Sequence, residues 1–471
     1  MTKDTGKRSG EVWAKLLDEV ASLERLSQEA LSRLSQGTQQ ATLNQQLDRL
    51  ERHSARTQSI VEHWDALLAQ AKGLKPLVMA PARLAQRLTG RLHRRALLPG
   101  PVDATVARTP AVLFMPTNGV GLGHMARCLA IARRMRQLSP ETDIIFLTTS
   151  PALHLAHRQG IIVHHMPPYS EKTFTSRQAW NQLLAQRLAE IDRLHRPSTL
   201  VFDGVWLYQG LIDHLERSPG LKSFWLHTAN PNPPPRQEAL PDRHYFNLIV
   251  WLTGPGFNRQ EKLSVAPAYT TVDPIVYFEP HELPHRREAR HQLGLPEEAT
   301  VVLVSLGAGV INHIFGDLDA LLQVIEGMPG VYAVIAETPI VSRRIVSHHS
   351  RTMVLRDFPL CRYFNAFDAA VTAAGYNTVY EMLRLGVPAV LLPNMGAPTN
   401  AQLTRARAAE QAGGAICLET PDRDSLARAL STMLEPETNQ KMRQAGMAAI
   451  TGNGAEKTAR LILGREASPQ A

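Results

Sequence analysis

A glycine-rich segment that ends in a histidine is the first part of this 471-residue sequence suited to chemistry. It carries Gly119, Gly121 and Gly123 at alternate positions, directly before His124, and it follows a short apolar run. Alternating glycines let the backbone turn sharply and leave its N–H groups free to face a ligand. A neutral imidazole at such a turn can take a proton from a hydroxyl nucleophile, so we predict that His124 is a general base.

Three further side chains are predicted to stand near His124 because each lies just after an apolar run or one helical turn away. Asp203 can hold the second imidazole nitrogen of His124, or it can be a simple turn residue. Arg127 is one turn beyond His124 and can neutralise a phosphate or pair with Asp203. His227 follows another apolar run, and a polar loop residue is its default interpretation.

A second glycine segment lies between an apolar run and a predicted helix. Gly375 ends the apolar region, and Asn377 and Thr378 open a helix whose first N–H groups suit a diphosphate. Glu381, one turn further on, can accept two hydrogen bonds from the vicinal hydroxyls of a ribose. A solvated charge on a helix is the alternative for a glutamate, but its combination with the glycine and the capping pair favours nucleotide binding.

Apolar runs alternate with amphipathic helices from residue 109 onward. The predicted strands lie at 111–115, 144–147, 161–163, 200–202 and 223–226, and again at 300–304, 331–335, 353–355, 369–372 and 389–392. Such alternation predicts parallel sheets with helices on both faces. We therefore predict an α/β fold in which two Rossmann-like domains, at 108–280 and 290–465, face a ligand-binding cleft. The stretch 271–290 is predicted to connect them.

The first 100 residues differ from the rest, because they are rich in Leu, Gln, Arg and Ser and contain little glycine. Apolar residues recur at steps of three and four within 13–71, which predicts an α-helical, coiled-coil-like hairpin across 1–100. It is either a plain packing surface or a surface for a homo-oligomer or other partner. Leucines lie on one helical face of 81–98 and arginines on the others, which suits an anionic membrane surface or a solvated helix on the next domain.

The composition excludes several classes of protein. The three cysteines are too scattered for a disulfide framework or a zinc site, so we expect no metal and no cofactor. The amino terminus lacks the apolar core of a secretory signal and no stretch is apolar enough to cross a bilayer, so we expect a cytoplasmic protein, with the inner face of the cell membrane as a peripheral site. The net charge of +8 favours anions, but basic residues do not alternate with aromatic ones, so no nucleic acid is expected.

The second glycine segment resembles the donor-binding region of family 28 glycosyltransferases, which have the two-domain B-type fold. The resemblance is strongest from Gly375 to Pro393 and continues through Asn400-Ala401-Gln402 and Arg405-Ala406. It extends more weakly over residues 110–465. The family includes the enzyme that adds N-acetylglucosamine to the lipid-linked peptidoglycan precursor, and the galactolipid synthases.

This resemblance implies roles for particular residues. Gly375, Asn377 and Thr378 would bind the donor diphosphate, and Glu381 would bind the ribose. The other implied donor-side residues are Phe358 beside the uracil, Asn400 and Gln402 at the donor sugar, and Gly307 and Gly309 after the first strand of the second domain. His124 matches the proposed base or substrate-positioning histidine of the family, with Asp203 as its partner.

The first glycine segment, over 121–132, also resembles UDP-sugar hydrolases of nonulosonic acid synthesis, in which the corresponding histidine activates water. We predict inverting, metal-independent transfer of a sugar from a UDP-sugar, such as UDP-N-acetylglucosamine, to a hydroxyl of a glycan or lipid-linked acceptor. The alternatives are hydrolysis of the UDP-sugar by the same histidine, a non-catalytic scaffold that binds nucleotide sugars, and UDP-sugar epimerisation.

Overall fold

The computed structural model describes most of the chain beyond residue 108. The described ranges are 109–117, 121–170, 176–205, 207–228, 245–257, 268–307, 314–340, 345–347, 349–394 and 401–466. The predicted helical extension at 1–100, with its segments 13–71 and 81–98, lies outside them. So do Gly119, Gly309 and Asn400.

Seven of the described strands form a parallel sheet in the first domain, in the order β3-β2-β1-β4-β5-β6-β7. Their bounds are β1 Thr109–Pro116, β2 Asp143–Thr148, β3 Ile162–His165, β4 Pro197–Asp203, β5 Lys222–Thr228, β6 Leu248–Leu252 and β7 Ala268–Val272. The central strands β1 and β4 are apolar and buried along most of their length, as expected for strands covered on both faces.

Four helices connect the first five of these strands. They are α1 Gly123–Leu138, α2 Leu153–His157, α3 Arg177–His195 and α4 Gln209–Arg217. Helix α3 begins where the Ser176 hydroxyl accepts a hydrogen bond from the Ala179 N–H at 3.1 Å, which satisfies one of the first N–H groups of the helix. It ends at Arg196, whose backbone adopts the left-handed conformation with φ 49°.

The second domain contains a sheet of six described strands, also parallel, in the order β10-β9-β8-β11-β12-β13. Their bounds are β8 Thr300–Ser305, β9 Val331–Ala336, β10 Thr352–Leu355, β11 Ala369–Ala373, β12 Ala389–Leu392 and β13 Ala415–Cys417. Two apolar layers, one on each face of this sheet, form the core of the domain.

The helices that follow the first sheet are α5 Arg286–Leu293, α6 Ile314–Glu326, α7 Tyr376–Leu385, α8 Gln402–Gln411, α9 Arg423–Leu434, α10 Pro436–Ala449 and α11 Gly454–Ile462. Short 3-10 turns occupy Pro280–Glu282 and Leu360–Ala366. Helix α7 ends at Gly386, where φ is +70° and the N–H groups of the turn return to the last carbonyls of the helix.

Helix α11 packs against α1 of the first domain, although the predicted domain boundaries assign it to the second. The Gly454 N–H donates to the Pro274 carbonyl at 3.0 Å, and the Asn453 side chain donates to the Val276 carbonyl at 3.1 Å. A Cβ on Gly454 would lie 2.0 Å from the carbonyl oxygen of Asp273, so only glycine permits this approach. The chain therefore crosses back to the first domain before its last described helix.

Both sheets reverse their strand order beside their first strand. In the first sheet β1 lies between β2 and β4, and in the second β8 lies between β9 and β11. Helices leave such a point in opposite directions and open a crevice at the carboxyl ends of the strands, where ligands bind in this class of sheet. Asp203 ends β4, Gly307 follows β8 and Gly375 follows β11, so three predicted site residues lie at these two crevices.

The predicted fold class of two Rossmann-like α/β domains is confirmed by these sheets. The sequence analysis does not predict β6, β7 and β13. Strand β13 has three residues, and β7 is an edge strand with little apolar character, so neither gives a strong periodic signal. The predicted connection at 271–290 begins within β7.

Candidate active site

The predicted pair of His124 and Asp203 is brought together at the carboxyl end of the first sheet. Pro116 at the end of β1 pairs in register with Asp203 at the end of β4, and α1 begins just before His124. Nδ1 of His124 lies 2.6 Å from Oδ1 of Asp203. The aspartate side chain is 2% exposed and the histidine side chain 17%, so the imidazole keeps access to solvent while its partner is buried.

Arg127 pairs with the same carboxylate. Its Nε donates to Oδ2 of Asp203 at 3.0 Å and its Nη2 donates to Oδ1 at 2.8 Å, which makes a two-bond ion pair. The Cys128 thiol lies 3.9 Å from Oδ2. Of the two interpretations for Arg127, the structure supports pairing with Asp203.

The protonation state of Asp203 follows from these contacts. Burial alone would raise the pKa of Asp203, but the charge of Arg127 and the hydrogen bonds from His124 and Arg127 outweigh it and lower the pKa from 3.8 to about 2. Nδ1 of His124 lies 2.6 Å from Oδ1 of Asp203 and also 2.8 Å from Nη2 of Arg127. An ionised carboxylate can only accept hydrogen bonds, so we assign a proton to Nδ1 and direct it at Asp203, the shorter of the two contacts. Its Nε2 then carries a lone pair that can accept a proton.

The glycines that precede His124 shape its approach. Gly121 has φ +83°, in the left-handed region that favours glycine, directly before α1. Gly123 is the first residue of α1, and a Cβ there would lie 3.8 Å from Nη1 of Arg127.

Helix α7 of the second domain contacts this group directly. The side-chain amide of Asn377 donates to the Gly123 carbonyl at 3.0 Å, and its oxygen accepts from Nη1 of Arg127 at 3.3 Å. Asn377 is the second residue of α7. The structure thus joins the two predicted site regions, which are about 250 residues apart in the sequence, through one carboxamide.

The start of α7 has no side-chain cap. Gly375 is the N-cap, with φ −64° and ψ 151°, and no side chain caps the helix. A Cβ at Gly375 would be 3.7 Å from its nearest neighbour, Oγ1 of Thr378, so the fold does not require glycine there. Because the first N–H groups of a helix lack intrahelical partners, the missing side chain leaves them accessible to an anion.

Glu381 lies one turn along α7 and is partly buried. Removal from solvent raises the pKa of Glu381 from 4.5 to about 7, and hydrogen bonds from the Cys361 thiol and the Tyr277 N–H offset only part of that effect. The carboxyl group is therefore poised between its neutral and charged forms near neutral pH.

Phe358 and Gly307 flank the same end of the second sheet. Phe358 follows β10, and its ring contacts that of Tyr277 edge-on with centroids 5.7 Å apart. Its N–H donates to Oδ1 of Asp357 at 2.7 Å, which fixes the loop. Gly307 follows β8 with φ +92°, and among the described residues no heavy atom would lie within 4 Å of a Cβ there.

Gln402 and His227 are placed by their elements at the edges of this region. Gln402 begins α8, and its Oε1 accepts from the Asn394 N–H at 2.9 Å. His227 belongs to β5 itself, so it is not a loop residue, and its ring lies 5.0 Å from that of Trp225 and 4.4 Å from that of Trp251.

Sequence reasoning missed the aromatic and cationic side chains behind α7. Tyr376 lies near both Arg127 and Arg405, whose guanidinium carbons are 5.3 and 5.6 Å from its ring centroid. Tyr380 contacts the Tyr376 ring edge-on at 4.7 Å. Both tyrosines lie in the second glycine segment, within the helix that begins after Gly375. Their position in that helix was the signal from which their part in the site could have been predicted.

Known proteins resemble this chain most clearly in the second domain. Residues 358–461 match the glycosyltransferase family 28 C-terminal domain, and this range contains α7 and α8. This part of the second domain is therefore similar to the family 28 glycosyltransferases. The chain is accordingly a glycosyltransferase, and its resemblance to the peptidoglycan N-acetylglucosaminyltransferases is confirmed at low identity.

Two curated relatives illustrate that resemblance. Both are named UDP-N-acetylglucosamine--N-acetylmuramyl-(pentapeptide) pyrophosphoryl-undecaprenol N-acetylglucosamine transferase. The Acetivibrio thermocellus protein is 25% identical over 322 residues, which cover 64% of this chain and 83% of the relative. The Salinibacter ruber protein is 26% identical over 379 residues, which cover 76% of this chain and 96% of the relative.

Solved structures of glycosyltransferases share the fold of the described domains. The spinosyn rhamnosyltransferase complexed with thymidine diphosphate has a TM-score of 0.52 at 18% identity, covering 75% of this chain and all of that one. The glycotransferase of kitacinnamycin has a TM-score of 0.53 at 18% identity, covering 75% and 98%. Among the described helices of our glycosyltransferase, none is both long and apolar enough to cross a membrane.

Proposed function

We propose that this glycosyltransferase moves a sugar from a UDP-sugar to an acceptor hydroxyl with inversion at the anomeric carbon. The observation that carries the proposal is the contact of Asn377 with Gly123 and Arg127. It places an uncapped helix start, suited to a diphosphate, beside a histidine held by a buried carboxylate. A leaving-group site and a base on neighbouring elements are what such a transfer requires.

The donor binds along α7 in this proposal. The N–H groups at the start of the helix, around Gly375 and Thr378, bind the diphosphate, and Glu381 accepts hydrogen bonds from the ribose hydroxyls. Phe358 borders the uracil. Gln402, together with Asn400 and the glycines Gly307 and Gly309, completes the donor side.

The reaction is a single displacement. Nε2 of His124 takes the proton of the acceptor hydroxyl as its oxygen forms a bond to the anomeric carbon, while the bond from that carbon to the diphosphate oxygen breaks and UDP leaves. Asp203 stabilises the imidazolium that forms, and Arg127 keeps the carboxylate in place. The negative charge that grows on UDP is stabilised by the α7 amides, so the proposed step needs no metal.

A glycan or lipid-linked acceptor is proposed from two observations. The names of the curated relatives include pyrophosphoryl-undecaprenol, a lipid carrier. The segment 81–98 of this chain has an arginine-rich amphipathic pattern that suits an anionic membrane surface.

We propose peripheral attachment to the inner face of the cell membrane, and a homo-oligomer through 13–71. Flotation with anionic vesicles tests the first, and the loss of binding on deleting 1–100 is the expected result.

One assay separates transfer from its alternatives. The protein is incubated with a panel of UDP-sugars, with and without membrane extract, and UDP release is measured. Release only with extract supports transfer, whereas equal release without extract supports hydrolysis by the same histidine. Binding of UDP-sugars with no release under either condition would support the scaffold or UDP-sugar epimerisation, and analysis of the recovered UDP-sugar for a changed sugar separates these two.

A further inference from the structure

Arg405 is a buried cation directly behind the start of α7. It lies on α8 and is 5% exposed. Its Nη1 donates to the carbonyl oxygen of Ala374 at 2.5 Å. Ala374 precedes Gly375, the N-cap of α7, so the guanidinium is bonded to the turn whose N–H groups form the proposed diphosphate site.

Every contact that the structure gives this guanidinium is uncharged. Besides the Ala374 carbonyl, it meets the Tyr380 hydroxyl and the rings of Tyr376 and Phe257, with centroids at 5.6 and 5.4 Å. Its Nε is buried without a hydrogen-bond partner in the described part of the chain. Within those same ranges no carboxylate acts on the Arg405 guanidinium.

The neighbouring charge, that of Arg127, does not offset the positive charge of Arg405. Arg127 approaches the same Tyr376 ring at 5.3 Å, and its own counter-charge is Asp203. Of the two guanidinium groups near the start of α7, only that of Arg127 is paired with a carboxylate. Burial lowers the pKa of Arg405 from its usual value because desolvation disfavours the charged form, yet a guanidinium remains protonated in proteins. The excess positive charge adds to the positive end of the α7 dipole.

A buried charge without a counter-ion is costly, and a ligand of opposite charge relieves that cost. We propose that Arg405 is a positioning residue for the donor diphosphate, which supplies its missing counter-charge. It acts in two ways without touching the ligand: it holds the β11–α7 turn through the Ala374 carbonyl, and its field favours an anion at the helix start. This inference rests on the proposed function and assigns the diphosphate, in preference to the nucleoside, as the group whose binding Arg405 favours.

Calorimetry with UDP and with uridine tests the inference, since only UDP carries the diphosphate. We expect R405Q to weaken UDP binding about tenfold or more and uridine binding by less than about threefold, because the lost interaction is with charge. R405K keeps the charge and should recover part of the loss. R407Q is the matched control, because Arg407 is on the same helix but 56% exposed and pairs with Glu419.

Equal weakening of UDP and uridine by R405Q would overturn the inference, as would a folded R405K no better than R405Q. Circular dichroism and thermal melting establish folding. If R405Q does not fold, R405M replaces it, because a long apolar side chain keeps the contacts with Tyr376 and Phe257.

Inorganic pyrophosphate distinguishes failure of this inference from failure of the proposed donor. We expect pyrophosphate to raise the Tm of the wild type and not that of R405Q. If the wild type does not bind UDP, but pyrophosphate raises its Tm and not that of R405Q, the UDP donor is wrong. The role of Arg405 in anion binding then stands. An equal shift in both proteins overturns the role of Arg405, and a wild type that binds neither compound overturns both proposals.

Discussion

Asn377 donates a hydrogen bond to the backbone carbonyl of Gly123 at 3.0 Å, and this contact joins the helix of the proposed donor site to the helix that carries His124. The same carboxamide accepts from Arg127, which holds Asp203. One side chain of the second domain therefore contacts both the residue before the proposed base, His124, and the arginine that pairs with the carboxylate beside it.

Replacing Asn377 by alanine removes both bonds but keeps the backbone N–H groups of α7. We expect N377A to lower kcat about tenfold while the Kd for UDP changes by less than about threefold, since a hydrogen bond contributes about 1 kcal/mol. UDP release and calorimetry measure the two quantities. N439A is the control. Asn439 lies in α10, and its side-chain amide also donates hydrogen bonds to two backbone carbonyls, those of Asp368 and Met433. An unchanged kcat in N377A would contradict a role of the two Asn377 bonds in turnover.

His124 is expected to be essential for turnover but not for donor binding. General bases contribute about 10²- to 10⁴-fold, so H124A should lower kcat by at least about 100-fold and leave the Kd for UDP nearly unchanged. H291A, on the exposed side of α5, controls for the loss of a histidine elsewhere. Turnover by H124A at the wild-type rate would refute the proposed mechanism.

Asp203 is expected to make stability depend on acid pH. Its pKa is about 2 in the folded protein and 3.8 ordinarily, so its contribution of about 2 kcal/mol is present above pH 4 and is lost as the pH falls toward 2. D203N leaves Arg127 buried without its counter-charge and should lower the free energy of unfolding by about 3–5 kcal/mol at neutral pH. Chemical denaturation at pH 7, 4 and 3 measures both effects. A variant as stable as the wild type would show that the ion pair adds no net stability.

Glu381 is expected to make donor affinity depend on pH near neutrality. Its pKa of about 7 means that the carboxylate, which accepts from the ribose hydroxyls in our proposal, is the main form only above that pH. UDP affinity should therefore fall about tenfold from pH 8 to pH 6. E381Q should flatten this profile, whereas E288Q, an exposed change on α5, should not. A profile that persists in E381Q would assign the titration to another group.

Gly256 is expected to be required where the first domain meets α8. It has φ +83°, and a Cβ there would lie 2.8 Å from that of Ala408. Gly330 has φ +72°, but no heavy atom of the described ranges would lie within 4 Å of a Cβ there, so G330A reports only the cost of the left-handed backbone, about 1 kcal/mol. We expect G256A to lose about 2–3 kcal/mol, because overpacking adds to that cost. Equal losses in thermal unfolding would show that the loop moves aside without penalty.

Much of the site could be predicted because the functional residues of parallel sheets lie at the carboxyl ends of the strands. His124, Asp203 and Gly375 each follow an apolar run, and that local signal is enough to place them at a carboxyl edge. Arg405 gave no such signal, since a helical arginine is ordinarily solvated and its burial depends on Tyr376 and on Phe257 from the other domain. The contact of Asn377 with Gly123 likewise needs the packing of two domains, which no local pattern encodes.

The packing of α11 on α1 has a consequence for the order in which the protein is made. Translation delivers the chain from its amino end, and domains begin to fold as they emerge. The surface of α1 that α11 covers is therefore exposed to water until residues 454–462 leave the ribosome, long after β1 to β7 can form their sheet. In a nascent or prematurely terminated chain, the helix that carries His124 would lack its contact with α11. The complete candidate active site can therefore form only in molecules whose synthesis has passed α11.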